Sequence, residues 1–124
     1  MSNKVLIIGI DAMDPRIVNK LIDKLPNFKK LNFAKLQTTI PPETPVAWSA
    51  ACTGCNPGKY GIFDFINRDL KTYKPRLNLA TEKPGIIKSE YVCAMKGEPF
   101  WRVLSDNKIK TSVIRWPVTF PPEK

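Results

Sequence analysis

Asp11 and Thr44 are the two side chains whose type and position offer chemistry. Asp11 directly follows the apolar run Val5-Leu6-Ile7-Ile8-Gly9-Ile10, so a carboxylate stands at the carboxyl end of an expected strand. In open α/β sheets ligands bind at that edge, and a carboxylate held there suits a hard or borderline cation. The same position also suits a carboxylate that only caps the loop. Thr44 precedes Pro45, where a cap followed by proline marks a helix start. Backbone N–H groups and the positive end of the helix dipole stabilise an alkoxide or a phosphate there. A threonine hydroxyl stays a weak nucleophile until a base or a metal lowers its pKa. It also serves as a plain N-cap, worth about 1 kcal/mol.

Other chemistry-bearing patterns are weaker. Gly54-Cys55-Asn56-Pro57-Gly58-Lys59-Tyr60 is close to a phosphate-binding P-loop, but it has one residue too few between the glycines. Tyr60 also stands where Ser or Thr should hold magnesium. Cys52-Thr53-Gly54-Cys55 is a lone Cys-x-x-Cys; Cys93 is the only other cysteine and the chain has no histidine, so a structural zinc set is lacking. Buried, inert thiols are the expectation. Lys59 and Arg115 are candidates for meeting an anion, although most such side chains simply face water.

These residues need elements to hold them. Continuous rather than alternating apolarity over Val5–Ile10 predicts a strand covered on both faces, as in a parallel sheet. Asp14-Pro15 predicts a cap and first turn, with Ile17, Val18, Leu21, Ile22 and Leu25 at helical spacing and Pro26 as the stop. Phe33 to Ile40 predicts a second strand. Thr44 to Cys52 predicts a compact helix ended by Gly54, and Asn56-Pro57-Gly58 a turn. Residues 67–96 are weakly patterned and read as an insertion or long loop. Pro99 to Asn107 predicts a helix with Phe100, Val103 and Leu104 inward, and Ile109 to Trp116 a third strand. About three strands, against a usual sheet of roughly five to six, leave a parallel sheet open, so the chain reads as an unfinished domain.

The 124 residues amount to one domain, 43% hydrophobic and 25% charged, the composition of a folded soluble protein. The net charge of +9 comes from scattered lysines without a run of cations or a nucleic-acid-reading signature, so nucleic acid is not the expected partner. Neither a signal peptide nor a membrane-spanning stretch is visible, so no membrane partner is expected and a cytoplasmic location is the default. Three cysteines, an odd number, fit a reducing compartment.

Four segments, taken together, resemble the type I phosphodiesterase/nucleotide pyrophosphatase family of the alkaline phosphatase superfamily. They are Val5 to Pro15; Leu25-Pro26-Asn27-Phe28; Thr39 to Ser49, which contains Pro41-Pro42-Glu43-Thr44-Pro45; and Thr53-Gly54-Cys55-Asn56-Pro57-Gly58-Lys59-Tyr60-Gly61 onward to Phe65. Trp116-Pro117-Val118-Thr119-Phe120-Pro121-Pro122 is similar to a later segment of the same group. The resemblance implies an α/β, alkaline phosphatase-like three-layer sandwich with a mainly parallel sheet, of which residues 1–124 are the N-terminal portion. It implies hydrolysis of phosphodiester, pyrophosphate or related phosphate or sulfate esters. It also implies two divalent metal ions, usually zinc, with Asp11 and Thr44 as metal ligands and Thr44 as the nucleophile that forms a phospho-threonine later cleaved by water. The family's other ligands, further aspartates and several histidines, have no counterpart here. The chain alone is therefore expected to be inactive, its substrate an anionic phosphate ester, and its remaining ligands supplied elsewhere, for example by a second chain. The alternative is a non-catalytic remnant that works as a binding or interaction module. Asp64-Phe65 stand where nucleotide pyrophosphatases often carry an asparagine, so the substrate stays open between nucleotides and other esters.

Overall fold

Asp14 opens the first helix as its pairing with Pro15 predicts. In the computed structural model, which describes residues 4–85 and 89–122, helix α1 spans Pro15–Leu21. The Asp14 carboxylate accepts the Arg16 backbone N–H at 2.7 Å and two side-chain N–H groups of the same arginine, the shortest at 2.6 Å. A 3-10 turn over Ile22–Lys24 carries the chain to Pro26, and a second turn follows at Phe28–Lys30. Of the predicted apolar face only Val18 is buried; Ile17 stays exposed. These elements belong to the first of two compact units, residues 1–37; residues 38–124 form the second.

The cap gives a pH prediction. The hydrogen bonds from the Arg16 side chain, then from its backbone N–H, pull the Asp14 carboxyl from 3.8 to about 2. A depressed carboxyl contributes stability that is fully present above the ordinary value and lost as pH falls through the folded value. The Arg16 amide resonance should therefore titrate near pH 2. A midpoint at 3.8 would mean that the cap does not form.

In the second unit, helix α2 spans Thr44–Thr53 and ends as predicted at Gly54, whose φ of 63° and amide bond to Ala50 O close the last turn. The Asn-Pro-Gly turn is one helical turn, α3 (Pro57–Tyr60), closed by Gly61 at φ 79°. Both helices and the segment just after α3 build the core: Val46, Tyr60 and Ile62 are fully buried, with Ala50, Cys55, Met95 and Val118 packed around them. Val118 does so from a left-handed backbone, φ 65°, which for a β-branched residue stores roughly 1–3 kcal/mol. Its carbonyl accepts the Cys93 thiol at 3.3 Å.

Residues 67–96, expected as an insertion or long loop, hold nearly all the strand structure among the described residues. β1 (Ile66–Arg68) pairs antiparallel with β2 (Pro75–Leu77), Ile66 opposite Leu77. β3 (Ala80–Lys83) pairs antiparallel with β4 (Glu90–Cys93), Ala80 opposite Cys93. Strands this short leave too few positions for a period-two pattern to stand out. Helix α4 (Phe100–Asp106) lies where expected, but Trp101 is its buried residue and Val103 is exposed.

The mainly parallel sheet is not found. Among the described residues there are two small antiparallel sheets, and none of Val5–Ile10, Phe33–Ile40 or Ile109–Trp116 joins a ladder. A strand is completed by neighbours that take its N–H and C=O groups. These segments have the residue types without such neighbours, and they keep apolar side chains in water: Val5 is 84% exposed, Leu36 91% and Ile114 83%. The fold is thus mixed helices and short antiparallel hairpins among the described residues.

Candidate active site

Thr44 is fixed by what surrounds α2. Upstream, the Thr39 hydroxyl donates to Pro41 O at 2.9 Å and shapes the diproline approach. Glu43, in extended conformation, is the N-cap, so Thr44 is the first helical residue rather than the cap expected for it. Downstream, two side chains grip carbonyls of the helix. The buried Tyr60 hydroxyl donates to Val46 O at 2.8 Å, and the Trp116 indole N–H donates to Trp48 O at 3.3 Å. Burial, then the nearby Cys52, pushes the Tyr60 phenol up, so it remains a neutral donor. Trp116 also meets Trp48, Phe100 and Trp101 edge to face, with centroids 5.0 to 5.6 Å apart. Such pairs add about 0.5–1.5 kcal/mol each. Together they set α2 against α4.

The start of α2 is less open than a free helix end. The Val46 and Ala47 amides both donate to Glu43 O, at 3.0 and 2.9 Å, and Pro45 has no N–H. The dipole still places partial positive charge beside Thr44, a half-buried residue. Less than two turns along, the fully buried Ser49 Oγ has no hydrogen-bond partner. Sequence reasoning passed over it, because a serine inside a run of small helical residues gives no signal.

Asp11 lies in the first unit, exposed, in the tight turn Asp11–Ala12 where Ala12 takes φ 53°. Thr44 belongs to the second unit. Lys59 on α3 and Arg115, at φ 53°, are exposed. None of the three cysteines, all among the described residues, is in a disulfide; Cys52 is buried and the others are half-buried. A cavity of about 330 Å³ in the second unit is lined by Cys93, Met95, Trp101, Ser105, Thr111 and their neighbours, and includes neither Asp11 nor Thr44.

Known proteins decide the relationship. The model of the type I phosphodiesterase / nucleotide pyrophosphatase family matches residues 5–124. The chain belongs to that family. No curated protein and no solved structure matches it. The type I phosphodiesterase assignment makes the kind of activity phosphoester hydrolysis, on phosphate-ester substrates, in a family that is generally metal-dependent. Asp11 and Thr44 offer oxygen atoms of the right kind, but a closed zinc site needs four ligands. Among the described residues no three His, Cys, Asp or Glu side chains cluster, and the sequence has no histidine. The described residues therefore do not make a complete zinc site. No described helix is long and apolar enough to cross a membrane.

Proposed function

We propose that this chain carries the nucleophile of a metal-dependent phosphodiester or pyrophosphate hydrolase, with Thr44 attacking phosphorus and Asp11 contributing one ligand to the metal centre. The position of Thr44 carries the reading: it is a half-buried hydroxyl on the first residue of a clamped helix, in the stretch that matches the family. A divalent ion, zinc by family resemblance, would lower the pKa of an attacking hydroxyl and neutralise phosphate charge. The chain's own part is positional. The Tyr60 and Trp116 hydrogen bonds fix the axis of α2, Pro45 fixes its first turn, and the helix dipole favours negative charge at the Thr44 oxygen. Attack forms an O–P bond to Thr44 and releases the ester alcohol; water then cleaves the phospho-threonine. The chain has no histidine, and in this reading the remaining ligands are supplied by a further segment or a second chain.

A purely binding role is favoured by the same incomplete donor set. Metal titration separates the two readings. The 124-residue chain alone is expected to bind zinc weakly and to leave a chromogenic phosphodiester unhydrolysed. The protein from its native source, with any chain that co-purifies, is expected to hydrolyse that ester in a chelator-sensitive reaction. Absence of turnover in the native material would overturn the hydrolase reading in favour of a binding module. Tight binding of two zinc ions with turnover by the isolated chain would remove the need for completing ligands.

A further inference from the structure

The geometry points to the β1–β2 hairpin as a docking element for an anionic phospholipid surface, a role separate from phosphoester hydrolysis. The hairpin runs from Ile66 to Leu77, and every residue of both strands is exposed. Its tip is nevertheless built. Asp69 N donates to Lys74 O at 2.9 Å and Tyr73 N to Asp69 O at 2.8 Å. The Asp69 carboxylate accepts the Lys71 and Thr72 amides and the Thr72 hydroxyl at 2.8 to 3.1 Å. Tyr73 is held at φ 59°, with the Arg68 guanidinium 5.2 Å from its ring centre. This ordered turn holds Leu70 in water at 83% exposure.

The same hairpin carries Arg68, Lys71, Lys74 and Arg76 against a single carboxylate, Asp69, which the turn already occupies and which lies 3.9 Å from Arg76. An aliphatic apex ringed by cations matches a lipid interface: the apex enters the acyl boundary while the cations meet headgroup phosphates. A nucleic acid fits less well. Single-stranded binding relies on open aromatic faces, and the one aromatic ring here, Tyr73, has Arg68 over it. Leu70, Ile66 and Leu77 gain from hydrocarbon rather than from base stacking. The expectation of no membrane partner rested on spanning stretches; a surface-bound hairpin needs none.

The test is co-sedimentation of the full chain with phosphatidylcholine vesicles, with and without phosphatidylserine. Binding is expected only to the anionic vesicles and should weaken with salt. Lys71→Gln with Lys74→Gln should weaken it about 25-fold, at roughly fivefold per cation. Leu70→Asn should weaken it about tenfold while leaving the salt dependence unchanged. The difference spectrum of Leu70→Trp minus wild type should show blue-shifted emission on anionic vesicles only. All three variants alter exposed positions, and unchanged circular dichroism confirms folding. Equal vesicle binding by wild type and variants, no binding at all, tighter binding to single-stranded oligonucleotide through the same residues, or a Leu70→Trp indole already shielded without lipid would each overturn the proposal. None of these readouts depends on hydrolysis, so the proposed activity and the docking role fail separately.

Discussion

Thr44→Ala is expected to lower phosphodiester turnover by the native preparation about ten-thousandfold, while Thr44→Ser stays within about tenfold of wild type. The asymmetry follows from what each change removes. Alanine deletes the only oxygen able to form the phospho-enzyme; serine keeps it and loses a methyl group. Glu43 and not Thr44 occupies the cap, and alanine is favourable within a helix, so lost helix propensity does not account for lost turnover. A purely structural role would produce the opposite pattern, with a lowered Tm and intact turnover. Mass spectrometry adds a direct readout: a phosphate on the Thr44 peptide after acid quench in wild type, and none in the alanine variant. Wild-type turnover in Thr44→Ala would end the nucleophile assignment.

Tyr60→Ala is expected to be the most damaging single change to the second unit, costing about 3–5 kcal/mol. Tyr60 is wholly buried beside Val46 and Ile62, and its hydroxyl holds Val46 O. Truncation opens a cavity in the small core and releases the first turn of α2. Tyr60→Phe removes only the hydroxyl and should cost about 1 kcal/mol. Urea melts of the three proteins check the order. Near-equal midpoints for Tyr60→Ala and wild type would show that this core is not what holds α2. Since a stability of about 5–15 kcal/mol is usual for a domain, the alanine variant is expected to lose much of its folded population.

Local punctuation was the legible part of the fold. Asp14-Pro15, Thr44-Pro45, Gly54 and Asn56-Pro57-Gly58 each act within a few residues, and the helix ends they mark lie there, give or take one position, although α1 ends at Leu21, short of the stop expected at Pro26. The sheet was not legible, because pairing depends on partners. Val5–Ile10 has the residue types of a buried strand, yet it lies unpaired and exposed, whereas the unpatterned stretch 67–96 pairs into hairpins through local turns such as the one at Asp69. For the site, spacing identified Thr44 and Asp11 as candidates. It gave no sign of the Tyr60 and Trp116 grips on α2 or of the orphaned Ser49 hydroxyl, since these arise from contacts 14 and 68 residues apart and from packing within the core.

The three tryptophans of the chain are Trp48, Trp101 and Trp116, and all of them meet in the cluster between α2 and α4. Intrinsic emission at the indole band is therefore a single-site reporter. Edge-to-face rings this close exchange excitation, so the signal reads the docking of the Thr44-bearing helix as one event. Residues 1–37 contain no indole, and melting of the segment that carries Asp11 is optically silent at that wavelength. A fluorescence transition and a circular-dichroism transition measured on the same sample would thus separate the two units without any label.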